Sequence, residues 1–229
     1  MGITLNEIAS VIDSNVRTGL KGVSNYAFPI DMLEREVIIE RNRLIGNGMR
    51  KQGFEKAPFL QDIHCLKLDK EKLSRCPSTV SATDDPIFHF DLPRMDTTML
   101  DDVIEYIGPT SRANLGWKVY FDETYKLHKY KPATCDRPYI YISPTSNGEG
   151  MMDAFVFNFS GNLTYLSFTG IIENPLDVEL YACHGPLEAF PAPESVVEEI
   201  IRRVTAKYLQ HYRQLDAPIQ PNTQTDQAS

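Results

Sequence analysis

Three stretches of the chain carry apolar residues at the spacing of an amphipathic helix. This period predicts helices over residues 4–20, 29–52 and 193–213. Pro29 suits the first turn of the second helix, where a missing N–H costs no hydrogen bond, and Gly53 suits its end. We expect the three helices to pack together, because each must bury its apolar stripe. The stripe of the first helix is Leu5, Ile8, Ile12 and Val16, and that of the last is Val196, Val197, Ile200, Ile201, Val204, Tyr208 and Leu209.

Between the second and third helices, the pattern changes to short runs of β-branched and aromatic residues separated by Pro, Gly, Asn and Asp. Such runs predict strands. Two of these predicted strands are residues 139–142 and 153–159. In each, one face can be buried while aromatic side chains lie exposed on the other, where they would suit a subunit interface. The remaining predicted strands are residues 63–68, 87–90, 104–107, 117–121, 126–130 and 163–172.

Together these elements predict an α+β protein, in which the N-terminal helix pair and the C-terminal helix pack together and a β-rich domain, sandwich-like or barrel-like, is inserted between them. The predicted parts are a helical part over residues 1–55, a β-rich body over 56–190, a helix over 191–213 and a tail over 214–229. The tail has few apolar residues and two prolines, so it cannot bury enough surface to offset its ordering entropy. We expect it to be an extended arm that orders only against a neighbouring subunit.

The balance of charges argues against nucleic-acid binding as the main activity. The chain has 23 Lys and Arg residues against 31 Asp and Glu residues, a formal net charge of −8. Proteins that bind nucleic acid tightly cluster cations that neutralise phosphates. An acidic surface would suit a wall past which DNA slides without sticking, and it equally suits a chain whose charge keeps it in solution.

The compartment is predicted from the first residues and from the cysteines. The first ten residues hold no cationic stretch followed by an apolar core, and no window approaches the roughly 20 apolar residues of a membrane span. We therefore expect a protein made and kept in a cytosol, without membrane contact. In such a compartment the four cysteines, Cys65, Cys76, Cys135 and Cys183, are expected to be reduced thiols.

Candidate chemistry is sparse. The sequence has no G-x-S-x-G elbow, P-loop, dinucleotide fingerprint, H-E-x-x-H or kinase motif. His64-Cys65 and Cys183-His184 could in principle supply four zinc ligands, but their spacing is unlike that of structural zinc knuckles. We therefore expect no catalytic residue, no metal and no cofactor. A Cys/His nucleophile pair stays open as an alternative, since such residues meet in space and not in the chain.

Basic residues cluster only on two of the predicted helices. Arg35, Arg41 and Arg43 lie on the second helix, and Arg202 and Arg203 lie on the last. On an acidic chain these arginines are expected to pair with glutamates across helices or across subunits rather than with nucleic acid.

The order of these parts, together with four local motifs, resembles the head-to-tail ring proteins of crAss-like short-tailed phages. The resemblance spans most of the chain. The motifs are Glu34–Ile45, Phe59–Asp69, Ile172–Pro175 and Phe190–Pro193.

The resemblance implies a non-enzymatic virion protein at the head–tail junction, assembled in the cytoplasm of a bacterial host. Its copies would form a ring, twelvefold in that family, which docks to the portal protein and to neighbouring tail ring proteins and lines the channel through which DNA passes. Two alternatives stay open, namely another phage tail or minor capsid assembly protein, and a cytoplasmic Cys/His enzyme. The residues predicted to contact the portal or another subunit are Arg35, Arg41, Arg43, Leu215, Asp216, Pro218, Ile219, Asn222 and Asp226.

Overall fold

The structure, a computed structural model, confirms the predicted α+β fold. It describes residues 2–20, 28–70, 88–96, 100–111, 116–121, 138–146, 150–159 and 162–215. The helices in these ranges are α1 (Leu5–Gly19), α2 (Ile30–Met49), α3 (Leu100–Val103) and α4 (Glu194–Leu215), and the strands are β1 (Gln61–Lys67), β2 (Asp69–Lys70), β3 (Phe88–Leu92), β4 (Ile104–Pro109), β5 (Lys118–Tyr120), β6 (Tyr139–Ser146), β7 (Met152–Phe157) and β8 (Tyr165–Gly170).

The chain divides into two compact units. Residues 5–43 and 194–229 form the helical unit, and residues 1–4 and 44–193 form the β unit. The last turns of α2 thus belong to the β unit, whereas the predicted helical part ran to residue 55.

In the helical unit, α1 packs against α4. The α1 side chains at the four predicted stripe positions are all buried, and Leu33 and Val37 of α2 are fully buried as well. The Phe28 ring, just before α2, meets the rings of Tyr208 and Tyr212 edge-on, with centroids 5.2 and 5.4 Å away. The predicted packing of the N-terminal helix pair with the C-terminal helix is therefore confirmed.

The first sheet of the β unit has the order β1-β8-β4 and is antiparallel throughout. Its central strand, β8, is buried from Leu166 to Gly170. Only Leu68 separates β1 from β2, so one stretch of chain leaves this sheet and enters the second. Beyond β8, the side-chain amide of Gln61 donates to the carbonyl of Pro175 at 3.0 Å and ties β1 to the 3-10 helix Pro175–Leu180.

The second sheet has the order β2-β3-β7-β6-β5, with β5 and β6 parallel and the other pairs antiparallel. The aromatic residues of this sheet were predicted to lie exposed at a subunit interface, but several of them are buried. Tyr120, Tyr139, Phe155 and Phe157 are buried together, and Tyr141 packs against them. Aromatic rings bury large apolar areas, so in this sheet they serve the core.

Some predicted elements cannot be compared. The predicted strand over residues 126–130 lies outside the described residues, as does most of the predicted tail. Among the helices that the structure describes, none is long and apolar enough to span a membrane.

Candidate functional site

The two Cys/His pairs of the sequence meet in the β unit, although not as the sequence predicted. Cys65 on β1 and Cys183, after the 3-10 helix, form a disulfide across a sequence separation of 118 residues, with their Cα atoms 5.8 Å apart. The expectation of reduced thiols is therefore wrong for these two residues. Cys76 and Cys135 lie outside the described residues.

The neighbouring histidines do not complete a zinc or nucleophile site. His64 lies with its Nδ1 atom 3.3 Å from the hydroxyl of Ser167, and the His184 backbone donates to the carbonyl of Tyr181. A sulfur held in a disulfide is neither a thiolate nucleophile nor a thiolate ligand. In the oxidised form, the Cys/His enzyme alternative thus has no nucleophile at Cys65 or Cys183.

A cleft of about 440 Å³ opens beside the disulfide. On its wall, the Tyr181 hydroxyl donates to the carbonyl of Asp91 at 3.1 Å, and burial raises the pKa of Tyr181 far above its usual value. This phenol therefore stays neutral and acts as a hydrogen-bond donor. The other residues that line the cleft include Cys65, Lys67, Asp69, Tyr165, Leu180 and Cys183.

Asp91 also belongs to a cluster that sequence reasoning missed. His89, Asp91 and Asp153 each offer one ligand atom, and these atoms all lie within 4.8 Å of one another. The His89 Nε2 atom is 3.1 Å from a carboxylate oxygen of Asp153 and 3.7 Å from one of Asp91. The available signal was a His-x-Asp step that begins in the predicted strand 87–90 and ends one residue beyond it, because residues two apart in a strand share a face.

The helical unit carries the charged residues predicted to pair. Arg203 on α4 contacts Glu40 on α2 at 2.9 Å, and Lys207 contacts Glu36. The predicted pairing of arginine with glutamate across helices is thus confirmed for Arg203, whereas Arg202 pairs with Glu199 within α4. Hydrogen bonds from Arg203 and Arg202 lower the pKa of the Glu199 carboxyl, so this carboxylate is ionised at neutral pH.

The three arginines proposed for subunit contacts have different surroundings. Arg35 is exposed, and Arg43 is exposed with its guanidinium 3.4 Å from a carboxylate oxygen of Glu40. Arg41, in contrast, has no exposed surface, donates to the side chain of Asn42, and has its pKa lowered to about 9 by burial. The prediction for Arg41 must be revised, since a partner cannot reach a buried side chain.

On α2, four exposed residues form what we call the α2 stripe, namely Met32, Arg35, Ile39 and Arg43. They recur at intervals of three, four and four residues, so they lie along one face of the helix. Ile39 is 59% exposed and Met32 is 39% exposed. Beside the stripe, a groove of about 520 Å³ between α2 and α4 is lined by Glu36, Ile39, Glu40, Arg43, Arg202, Arg203 and Lys207.

The first two residues of the predicted tail belong to helix α4. Helix α4 continues to Leu215, so residues 214 and 215 are helical rather than extended. The other residues assigned to the arm lie outside the described residues: Asp216, Pro218, Ile219, Asn222 and Asp226.

The sequence was compared with protein-family models and with curated proteins. No protein-family model matches the sequence, and no curated protein is a significant match to it.

Proposed function

We propose that this chain is a structural subunit of a head-to-tail connector ring, which docks to the portal of a short-tailed phage and lines its DNA channel. The proposal rests on the sequence resemblance to the ring proteins of crAss-like phages. The structural observation that carries it is the α2 stripe, where large apolar side chains and arginines alternate on an exposed helix face.

The chemistry of the stripe suits a contact between copies of the chain. Ile39 and Met32 are exposed, and burying them against a partner would stabilise the assembly by roughly 25 cal/mol per Å² of apolar area removed from water. The flanking Arg35 and Arg43 would meet acidic groups, which the chain carries in excess with its net charge of −8. A cyclic assembly joins two different surfaces of each copy, so a basic stripe can meet an acidic surface of its neighbour.

We expect Ile39→Asp to abolish ring formation while leaving the monomer folded. The substitution puts a charge at the centre of the proposed interface, where burying it without a partner is costly. Mass photometry of the purified chain, with and without portal protein, measures the oligomer directly. Rings in the wild type and monomers in the variant would support the proposal.

Val11→Asp is the matched control for this substitution. Val11 is a β-branched residue on α1 of the same helical unit, and at 40% exposure it is accessible but outside the stripe. Its variant should assemble as the wild type does. Equal assembly of Ile39→Asp and wild type would remove the stripe from the interface, and a wild-type chain that stays monomeric with portal present would contradict the ring function itself.

We further propose that the segment after Leu215 is the arm that docks to the portal, with Pro218 and Ile219 as apolar anchors. A chain that ends at Leu215 keeps all of α4. It should therefore melt at nearly the same temperature as the full chain, because a segment with so few apolar residues can bury little surface. The same chain should no longer co-purify with portal protein.

The truncated chain also separates the proposal from its alternatives. Rings that form but never bind portal, with or without the arm, would instead favour another tail or minor capsid protein. Portal binding that is as tight without residues 216–229 as with them would contradict the role of the arm.

A further inference from the structure

Two strands of the second sheet present a His and two Asp residues on one face. Asp91 on β3 lies directly opposite Asp153 on β7, and His89 lies two residues from Asp91. Residues two apart in a strand point to the same side of the sheet. The backbone register alone therefore brings the three side chains together, with no loop involved.

The carboxylates of Asp91 and Asp153 carry the same charge and belong to residues directly opposite each other on neighbouring strands. Like charges placed directly opposite each other on neighbouring strands destabilise a sheet. A cation between Asp91 and Asp153 would convert this repulsion into attraction. The Nε2 atom of His89 lies 3.1 Å from an oxygen of Asp153 and 3.7 Å from one of Asp91, and a neutral imidazole nitrogen is a metal ligand.

The spacing of the donor atoms suits one ion. With zinc-to-ligand bonds of about 2.1 Å, tetrahedral ligand atoms lie about 3.4 Å from one another. The observed separations from the imidazole nitrogen bracket this value, and all three donor atoms lie within 4.8 Å of one another. These separations are of the size expected between the ligands of a single ion.

The imidazole of His89 is held in place by the sheet. Its ring packs on the Phe155 ring with centroids 5.3 Å apart, and its side chain is only 12% exposed. Asp91 is more accessible and also lines the cleft beside the disulfide. A ligand set on strands with one fixed member loses little entropy on binding.

We propose that His89, Asp91 and Asp153 form a binding site for one divalent transition-metal ion, with Zn²⁺ as the ion that fits best. One imidazole nitrogen and two carboxylate oxygens are donors that zinc takes up in three-ligand sites, which leave a coordination position open. The sequence-based expectation of no metal considered only the Cys/His pairs, so this site departs from it. It is independent of the proposed function.

The test is a titration of the metal-depleted full chain with Zn²⁺ by calorimetry, and with Co²⁺ by absorption spectroscopy. We expect one Zn²⁺ per chain and a Co²⁺ spectrum without a thiolate charge-transfer band, because no sulfur is a ligand. His89→Gln and Asp153→Asn should each weaken binding by at least about tenfold, since each removes a ligand. His64→Gln, which alters an exposed histidine on β1, should bind as tightly as the wild type.

Circular dichroism and metal-free melting of each variant show whether it folds. If His89→Gln is unstable, Asp91→Asn is the substitute, because this carboxylate is 46% exposed and its loss disturbs the sheet least. Absence of saturable one-to-one binding would overturn the proposal and leave His89 as a hydrogen-bonding partner of the Asp153 carboxylate. Binding that survives in all the ligand variants, or that shows a thiolate band, would overturn it by assigning the ion to other residues.

Discussion

Replacing Phe168 with alanine is expected to lower the free energy of unfolding of the β unit by about 3–5 kcal/mol. Phe168 is fully buried on β8, the central strand of the first sheet. Its register partners are Ile63 on β1 and Ile107 on β4, and both are buried. Alanine would leave a cavity with β1 and β4 on either side, which the sheet cannot close without breaking its ladders.

The chain contains its own probe for this measurement. Trp117 is the sole tryptophan, and its ring lies 5.1 Å from that of Phe159 inside the β unit. Its fluorescence during urea denaturation therefore follows this unit, even if the helical unit unfolds in a separate step.

Tyr165→Ala is the matched control for Phe168→Ala. Tyr165 is an aromatic residue on the same strand, but it is 49% exposed, so its loss should cost no more than about 1 kcal/mol. If alanine at position 168 prevents folding, Phe168→Leu should give a measurable loss of up to about 1.5 kcal/mol. Equal costs at positions 165 and 168 would contradict the assignment of Phe168 to the centre of the core.

The three long helices and most strands could be predicted because their signals are local. The apolar period and the flanking Pro29 and Gly53 gave the ends of the first two long helices to within three residues, and Gly53 has a φ of +84°, as a residue beyond a helix often does. The parallel pairing of β5 with β6 and the two-sheet order were out of reach. Strand pairing depends on contacts between distant residues, which leave no periodic trace in the chain.

For the site residues too, local properties could be predicted and tertiary contacts could not. Pairing of Arg203 on α4 with Glu40 on α2 followed from the acidic balance of the chain, whereas the burial of Arg41 did not, because a mixed-charge helix suggests a solvated face. The register that sets Asp91 opposite Asp153 is likewise a tertiary property. The bond between Cys65 and Cys183 was missed because the predicted compartment argued against it, although sequence separation alone excludes no pairing.

Loss of the disulfide between Cys65 and Cys183 is expected to destabilise the β unit by about 2–5 kcal/mol. The bond closes a loop across 118 residues, and in the chain-entropy account a loop of about 100 residues contributes about 4.7 kcal/mol. The native position of β1 is held independently by its ladder with β8 and by the hydrogen bond from Gln61 to Pro175. Reduction should therefore leave the fold intact and act mainly by freeing the unfolded chain.

The measurement compares urea denaturation of the wild type with and without reductant, again followed by Trp117. The double variant Cys65→Ser/Cys183→Ser should match the reduced wild type and should not respond to reductant. Placing both proteins in a Cys76→Ser/Cys135→Ser background prevents thiol exchange with the remaining cysteines. A direct check is peptide mapping without reductant, which should recover a Cys65 peptide joined to a Cys183 peptide.

The redox state of the compartment decides when this stabilisation acts. Thiols are kept reduced in a bacterial cytoplasm, so a chain that assembles there would gain the bond only after release into an oxidising medium. The exposed position of Cys183 gives small thiols and oxidants access to it. Equal stability of the oxidised and reduced wild type, in protein whose crosslinked peptide has been verified, would contradict the prediction and leave the bond without a role in holding the β unit together.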